Sequence, residues 1–84
     1  MNVEVKVLFF AKAREVAGKS CDILSVSSPI SYLQLLEEIV TTYSLADIKR
    51  NIILAVNEEY CNLDTTIYLK PGDEIAVIPP LSGG

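Results

Sequence analysis

The 84-residue chain is predicted to form a two-layer α+β domain, in which a mixed sheet carries one main helix across one face. Three observations predict this fold. The chain begins with a segment of alternating apolar and polar residues, its middle carries an amphipathic segment with helix-capping signals, and apolar segments of strand length follow. A chain of this length forms one domain. We assign residues 1–78 to that domain and residues 79–84 to an extended C-terminal tail.

The first strand is predicted from the alternation of Val3 to Val7, which continues to Phe10. If the odd-numbered side chains face the core, Leu8 and Phe10 lie on the opposite face. There they are either covered by a loop or the short helix, or they form part of a docking patch. Residues 11–16 (AKAREV) predict a short helix that ends at Gly18. Residues 20–26 predict a second strand, antiparallel to the first.

The main helix is predicted to begin after Ser31. Ser31 is a suitable N-cap, Gln34 completes a capping box, and Ile30 and Leu35 occupy the positions of a hydrophobic staple. Apolar residues at helical spacing then predict one stripe that packs on the sheet. The residues expected in this stripe are Leu33, Leu36, Ile39, Val40 and Tyr43.

The second half of the chain is predicted to supply further strands. Residues 52–56 (IILAV) form a continuous apolar run, which is typical of a strand covered on nearly both faces. Residues 60–63 predict a short strand, residues 70–73 (KPGD) a type II turn, and residues 74–78 the last strand. Within the last strand, Ile75 and Val77 are expected to face the core, and Ala76 and Ile78 to face outward.

The order of these elements predicts the strand arrangement. We expect the first strand to be central and the last strand to lie parallel beside it, reached by a long crossover. This is the β-grasp arrangement. It places Leu8, Phe10 and Ile78 together on the sheet face away from the helix, next to the start of the tail. The arrangement therefore favours the docking patch over the buried alternative.

Composition excludes several classes of function. A net charge of −4 and an isoelectric point near 4.6 argue against binding to nucleic acid. No apolar run approaches the roughly 18 residues that a membrane span needs, and no signal peptide is apparent, so a cytoplasmic location is expected. The sequence has no histidine, and Cys21 and Cys61 are expected to be free thiols. We therefore expect no metal site and no self-sufficient enzyme.

The last six residues, Pro79-Pro80-Leu81-Ser82-Gly83-Gly84, suggest a different role. Proline cannot donate to a sheet ladder, so the two prolines should end the sheet, and the glycines add no bulk. One interpretation is a frayed terminus. The functional interpretation, which we favour, is a thin stalk that presents the terminal carboxylate of Gly84.

Three segments together resemble the small subunits of molybdopterin synthase, ubiquitin-like sulfur carriers of the MoaD/ThiS type. They are VLFFAKAREVAG at residues 7–18, AVN at residues 55–57, and PGDEIAVIPPLSGG at residues 71–84. The resemblance implies a ubiquitin-like β-grasp fold with a flexible Gly-Gly tail and no permanently bound cofactor. It also implies that an E1-like enzyme adenylates Gly84 with ATP. The C-terminus then becomes a thiocarboxylate that donates sulfur to cyclic pyranopterin monophosphate, building the dithiolene of molybdopterin.

The resemblance further implies a partner, the large catalytic subunit, in a heterotetramer of two small and two large subunits. Arg14 and Glu15 match a recurrent Arg-Glu pair, as interface or helix-capping charges. Gly83 accompanies Gly84 at the transferring end. Apolar partner contacts are implied at Phe10, Tyr60 and Ile78, and a threading tail at Pro79, Pro80, Leu81 and Ser82.

Three alternatives remain open at the level of sequence. The first is a sulfur carrier for thiamine synthesis or tRNA thiolation. The second is a modifier that is joined through Gly84 to lysines of other proteins. The third is a plain binding domain whose tail has no function. The complete stretch PGDEIAVIPPLSGG favours the pterin pathway over the other two sulfur-carrier pathways.

Overall fold

A computed structural model describes residues 1–79. The chain forms strand β1, helix α1, strands β2 and β3, helix α2, a 3₁₀ helix, and strands β4 to β7. Their bounds, in chain order, are Asn2–Phe9, Ala11–Ala17, Cys21–Ser27, Ile30–Ser31, Tyr32–Tyr43, Ala46–Asn51, Ile53–Val56, Glu59–Tyr60, Thr66–Ile67 and Glu74–Ile78.

The main sheet has five strands in the order β2-β1-β7-β4-β5. Strands β1 and β7 run parallel, and the other neighbours are antiparallel. The mixed sheet with one main helix confirms the predicted α+β fold. The prediction that the first strand is central was wrong in detail. Strand β7 occupies the middle, because β4 and β5 extend the sheet beyond it, and β1 lies between β2 and β7.

The core lies between the sheet and α2. The odd-numbered residues of β1 that were predicted to face inward are all buried, and so are Ile75 and Val77 of β7. Among the described residues no polar or charged residue is buried. The largest fully buried side chains are Leu35, Ile39, Leu45, Leu54 and Ile75.

Helix α2 begins as predicted, and its predicted buried stripe is confirmed at every position but one. Ser31 Oγ accepts a hydrogen bond from Gln34 N at 3.1 Å, and the Gln34 side chain accepts one from Ser31 N, completing the capping box. Leu33 was predicted to be buried, but its side chain is 61% exposed. Tyr32 is buried in its place, and its hydroxyl accepts a hydrogen bond from Leu54 N at 3.2 Å.

The buried stripe therefore runs from Tyr32 through Leu35 and Leu36 to Tyr43. Successive residues of an α-helix are rotated by about 100°, so Leu33 lies beside this stripe rather than in it. Tyr32 and Leu33 both lie at helical spacing from later residues of the stripe. The sequence alone therefore did not distinguish them, and Leu33 was selected wrongly.

Two turns follow their predicted chemistry. Gly18 caps α1 in the left-handed conformation with φ 77°. In the segment from Lys70 to Asp73, the Asp73 N–H donates to the Lys70 carbonyl at 3.0 Å, and Gly72 has φ 88°. A positive φ at the third residue is the mark of a type II turn. The short strand predicted at residues 60–63 lies instead at Glu59–Tyr60, paired with β4.

Within residues 1–79, no helix combines the length and the apolar character that crossing a bilayer would need.

A polar contact fastens the end of α2 to β2. The Tyr43 hydroxyl donates to Asp22 Oδ2 at 2.9 Å, and the Tyr43 ring meets Phe9 edge-on, with centroids 4.7 Å apart. This hydrogen bond holds the pKa of Asp22 below its usual range. Burial, together with the adjacent Asp22 carboxylate, raises the pKa of Tyr43 from 10.0 to about 12.

Replacing Tyr43 by Phe is expected to lower the melting temperature by a few degrees at neutral pH, because Asp22 loses its donor. The raised pKa means that folding favours protonated Tyr43, so this stability is present below pH 10 and is lost as the pH rises towards 12. Urea unfolding from pH 8 to 11.5 measures the loss, which should be smaller in Tyr43→Phe. Parallel curves for the two proteins would contradict the coupling.

Candidate docking site on the open face of the sheet

One row of small and apolar residues crosses all five strands of the sheet. The strand registers place Leu8 opposite both Cys21 and Ala76, and they place Ala55 opposite both Ala76 and Tyr60. Facing residues on neighbouring strands point to the same side of a sheet. The row therefore lies on the open face, away from α2.

A second apolar group borders this row where β7 ends. Ile78 lies opposite Ile53, and Phe10 follows β1 in extended conformation, with its N–H donating to the Val77 carbonyl at 3.2 Å. Ile53 is 42% exposed. The prediction that residues 52–56 are covered on nearly both faces was therefore wrong for Ile53, because no element packs on this side of it within residues 1–79.

These residues enclose a cleft with a volume of about 240 Å³. Two alanines in the central strands leave space between larger side chains on either side, so the open face has a depression rather than a flat surface. Phe10 is 46% exposed and Tyr60 is 71% exposed, which makes both rings available to a partner. The residues that line the cleft are Leu8, Phe10, Ala55, Glu58, Tyr60, Glu74, Ala76 and Ile78.

The structure thus brings together the three residues that strand alternation placed here, Leu8, Phe10 and Ile78. It adds Tyr60, which alternation did not select but the family resemblance did. Sequence reasoning missed Ala55, Glu58 and Glu74. For Ala55 and Glu58 the signal was the hairpin between β4 and β5, whose two-residue turn sets the pairing of Ala55 with Tyr60. That these residues contact a partner stays a prediction.

The predicted tail begins beside the cleft. Strand β7 ends at Ile78, a cleft residue, and Pro79 is buried. The other tail positions named from the sequence lie outside the described residues; they are Pro80, Leu81, Ser82, Gly83 and Gly84.

The turn between β4 and β5 fixes one edge of the cleft. Asn57 and Glu58 both have positive φ, 49° and 72°, as in a type I′ hairpin turn. Asn57 N donates to the Glu74 carbonyl at 2.8 Å, and Glu74 N donates to Asn57 Oδ1 at 3.0 Å. These two hydrogen bonds hold the turn against β7, so the Glu58 carboxylate is carried to the edge of the cleft.

Reactive groups are sparse in this region. Burial raises the pKa of the half-buried Cys61 thiol, which disfavours the nucleophilic thiolate, and Cys21 is an exposed free thiol at the end of the row. Among residues 1–79, no three His, Cys, Asp or Glu side chains cluster as metal ligands. The open face presents an apolar cleft and exposed aromatic rings, features that are common where one protein docks on another.

A β-grasp sheet with one covered face and one apolar open face defines the class of ubiquitin-like proteins. The chain belongs to the ThiS family, which its residues 7–84 match. It is 51% identical over 86 residues to the molybdopterin synthase sulfur carrier subunit of Anopheles gambiae, covering 99% of this chain and 94% of the relative. It is also 51% identical over 83 residues to the human protein of that name, covering 96% and 94%.

Solved structures agree on the fold. The small archaeal modifier protein 1 of Methanosarcina acetivorans superposes with a TM-score of 0.75 at 27% identity, covering 100% of this chain and 99% of that one. In a complex of subunits 1 and 2 of the molybdopterin-converting factor from Helicobacter pylori, the matching chain gives a TM-score of 0.65 at 26% identity, covering 98% and 100%.

Proposed function

We propose that this chain is the sulfur carrier subunit of a molybdopterin synthase. The observation that carries the proposal is its 51% identity, over nearly the full length of both chains, to proteins named for that role. The exposed apolar cleft beside the end of β7 supports it, because a carrier must dock on the proteins that load and unload its tail.

The transferring group in this proposal is the carboxylate of Gly84. An E1-like enzyme joins the carboxylate to the AMP portion of ATP and releases pyrophosphate. A sulfur nucleophile supplied by a donor protein then displaces AMP, and a thiocarboxylate remains on Gly84. The thiocarboxylate sulfur attacks a carbon of cyclic pyranopterin monophosphate and displaces an oxygen substituent, which forms a thioester between Gly84 and the pterin. Water then hydrolyses the acyl carbon–sulfur bond, so the sulfur stays on the pterin as a thiolate and the carboxylate of Gly84 is regenerated. Two such transfers complete one dithiolene.

The residue types of the chain fit a carrier that supplies the sulfur nucleophile while its partner supplies the general bases. A thiocarboxylate is ionised at neutral pH and is a soft nucleophile, so the carrier needs no general base of its own. The sequence contains no histidine, and the bases that act on the pterin are assigned to the partner. Gly83 and Gly84 lack side chains, which lets the reacting carbon enter a narrow channel.

The cleft is proposed as the docking site for the large subunit. Phe10, Tyr60 and Ile78 would supply apolar anchors, and residues 79–82 would lead Gly83 and Gly84 into the partner's active site. The H. pylori complex of subunits 1 and 2 supports a pairing of this kind. We further propose a cytoplasmic heterotetramer of two small and two large subunits, and docking of the activating enzyme on the same face.

Intact-mass spectrometry with fragmentation of the C-terminus tests the proposal. After incubation with the activating enzyme, ATP and a sulfur donor, the chain should exchange one oxygen for one sulfur at Gly84. The double variant Cys21→Ser, Cys61→Ser should gain the same increment, because neither thiol takes part. Addition of a whole sulfur atom at a cysteine, and loss of the increment in the double variant, would assign the sulfur to a persulfide instead.

A second candidate function has one observation in its favour. The chain superposes over its whole length on the small archaeal modifier protein 1, which is named as a modifier. A modifier would form an isopeptide bond between Gly84 and lysines of other proteins. Tryptic digests of cell extracts would then contain lysines carrying the C-terminal glycines of this chain, and a carrier alone would leave none.

A further inference from the structure

The docking cleft has an acidic edge whose charge is not neutralised within the described residues. Glu58 and Glu74 both line the cleft. The ion pairs within residues 1–79 join Lys19 to Asp22 and Lys49 to Glu37, so neither cleft carboxylate has a cation within 4 Å.

One cation of the sheet, Lys6, lies opposite Glu74 in the parallel register of β1 and β7, but the two side chains form no ion pair. Lys6 does not line the cleft, and Glu58 lies beyond Glu74 on the far side from β1. The charge of Glu58 is therefore the less compensated of the two.

Glu58 also occupies a conformation that its residue type disfavours. Its φ of 72° falls in the left-handed region, at the second central position of a type I′ turn, where glycine is the favoured residue. A residue with a Cβ atom in this conformation lowers the stability of the fold relative to glycine. Unfavourable backbone conformations persist where the surroundings fix them, and they cluster at functional positions.

From the charge and the shape of the cleft together, we propose that the large subunit inserts an apolar side chain flanked by a lysine or arginine, and that Glu58 selects this cation. The proposal rests on the proposed function, since it names the chemistry of the partner at the same docking site. A neutral or acidic partner segment would strip water from the two carboxylates and leave them unpaired beside apolar surface, which is costly. A cation removes that cost, and the same edge rejects acidic competitors.

Association kinetics between the full chain and the purified large subunit, measured across ionic strength, test the proposal. Glu58→Gln keeps the shape of the side chain and removes its charge. It should slow association about threefold at low salt and flatten the salt dependence, as expected when an attractive charge pair is lost. The matched control is Glu38→Gln, which removes the same charge from the exposed surface of α2 on the other side of the sheet, and it should change neither quantity.

Glu58→Gly separates a role in binding from a role in folding. Glycine relieves the left-handed strain, so the melting temperature should rise by about 5 °C. Association should nevertheless slow as in Glu58→Gln. A residue that served only the turn would give the rise in stability with unchanged binding.

The two levels of the hypothesis can fail separately. Suppose that Phe10→Ala weakens binding to the large subunit, whereas Glu58→Gln associates at the same rate as the control Glu38→Gln. The open face is then the docking site, but Glu58 does not select a cation of the partner. If Phe10→Ala binds as the parent does, the open face is not the docking site, and the selection of a cation by Glu58 fails with it.

Discussion

Deleting Gly84 is expected to abolish the transfer of sulfur to the pterin, with a loss of at least about a thousandfold in the rate of molybdopterin formation. In the proposed mechanism the sulfur is bonded to the carboxyl carbon of this residue. The truncated chain would end at Gly83, one residue short, and no other group in the chain can replace the missing carbon. Misplacement of a reacting group by even about 1 Å costs roughly a hundredfold, and one extended residue spans about 3.3 Å.

The same deletion should leave the fold and docking nearly unchanged. Among the described residues, those that form the core and line the docking cleft lie between Val3 and Ile78, so the deletion removes none of them. The melting temperature should therefore stay within about 1 °C and the dissociation constant for the large subunit within about threefold. An assay with purified large subunit and precursor measures the transfer. A truncated chain that still formed molybdopterin at the parental rate would show that Gly84 does not carry the sulfur.

The sequence was most informative where local chemistry alone decides the structure. The capping box at Ser31, the left-handed cap at Gly18 and the Pro-Gly turn before Asp73 each follow from residue types within one turn of chain. The inward face of β1 followed from its alternation, because a strand with one face in the core has a single workable register.

The failures occurred where two arrangements satisfy the same local pattern. Tyr32 and Leu33 both continue the helical stripe of α2, and contact with the sheet, where the Tyr32 hydroxyl accepts from Leu54 N, distinguishes the buried Tyr32 from the exposed Leu33. Ile53 stands in an apolar run that is typical of a strand covered on both faces. It is exposed because no element within residues 1–79 packs on the open face at this position, and the pattern of one strand does not show which of its faces other elements cover.

The candidate docking site could be predicted from the sequence only in part. Leu8, Phe10 and Ile78 could be placed together, since strand alternation and the parallel pairing of β1 and β7 fix their positions. Glu58 could not, because its position depends on a two-residue turn in which both residues have positive φ. The polar run from Asn57 to Glu59 predicts a turn, but without a glycine it does not indicate the type I′ geometry that carries Glu58 to the cleft.

Phe9 and Phe10 offer the sharpest separation between folding and docking, because adjacent residues with identical side chains point to opposite faces of the sheet. Phe10→Ala should weaken binding to the large subunit about 30-fold, which corresponds to a loss of about 2 kcal/mol for a central aromatic anchor. Its ring is already 46% exposed in the free protein, so the free energy of unfolding should fall by less than about 1 kcal/mol.

Phe9→Ala should have the opposite profile. The Phe9 ring is 2% exposed and packs edge-on against Tyr43, so its removal leaves a cavity and should cost about 3–5 kcal/mol. That is a large share of the roughly 5–15 kcal/mol that stabilises a small domain, whereas the folded fraction should still bind with near-parental affinity. Thermal melts and titration calorimetry on both variants decide the matter. If Phe10→Ala collapsed the melt and left affinity intact, Phe10 would belong to the core, and the docking surface would have to lie elsewhere.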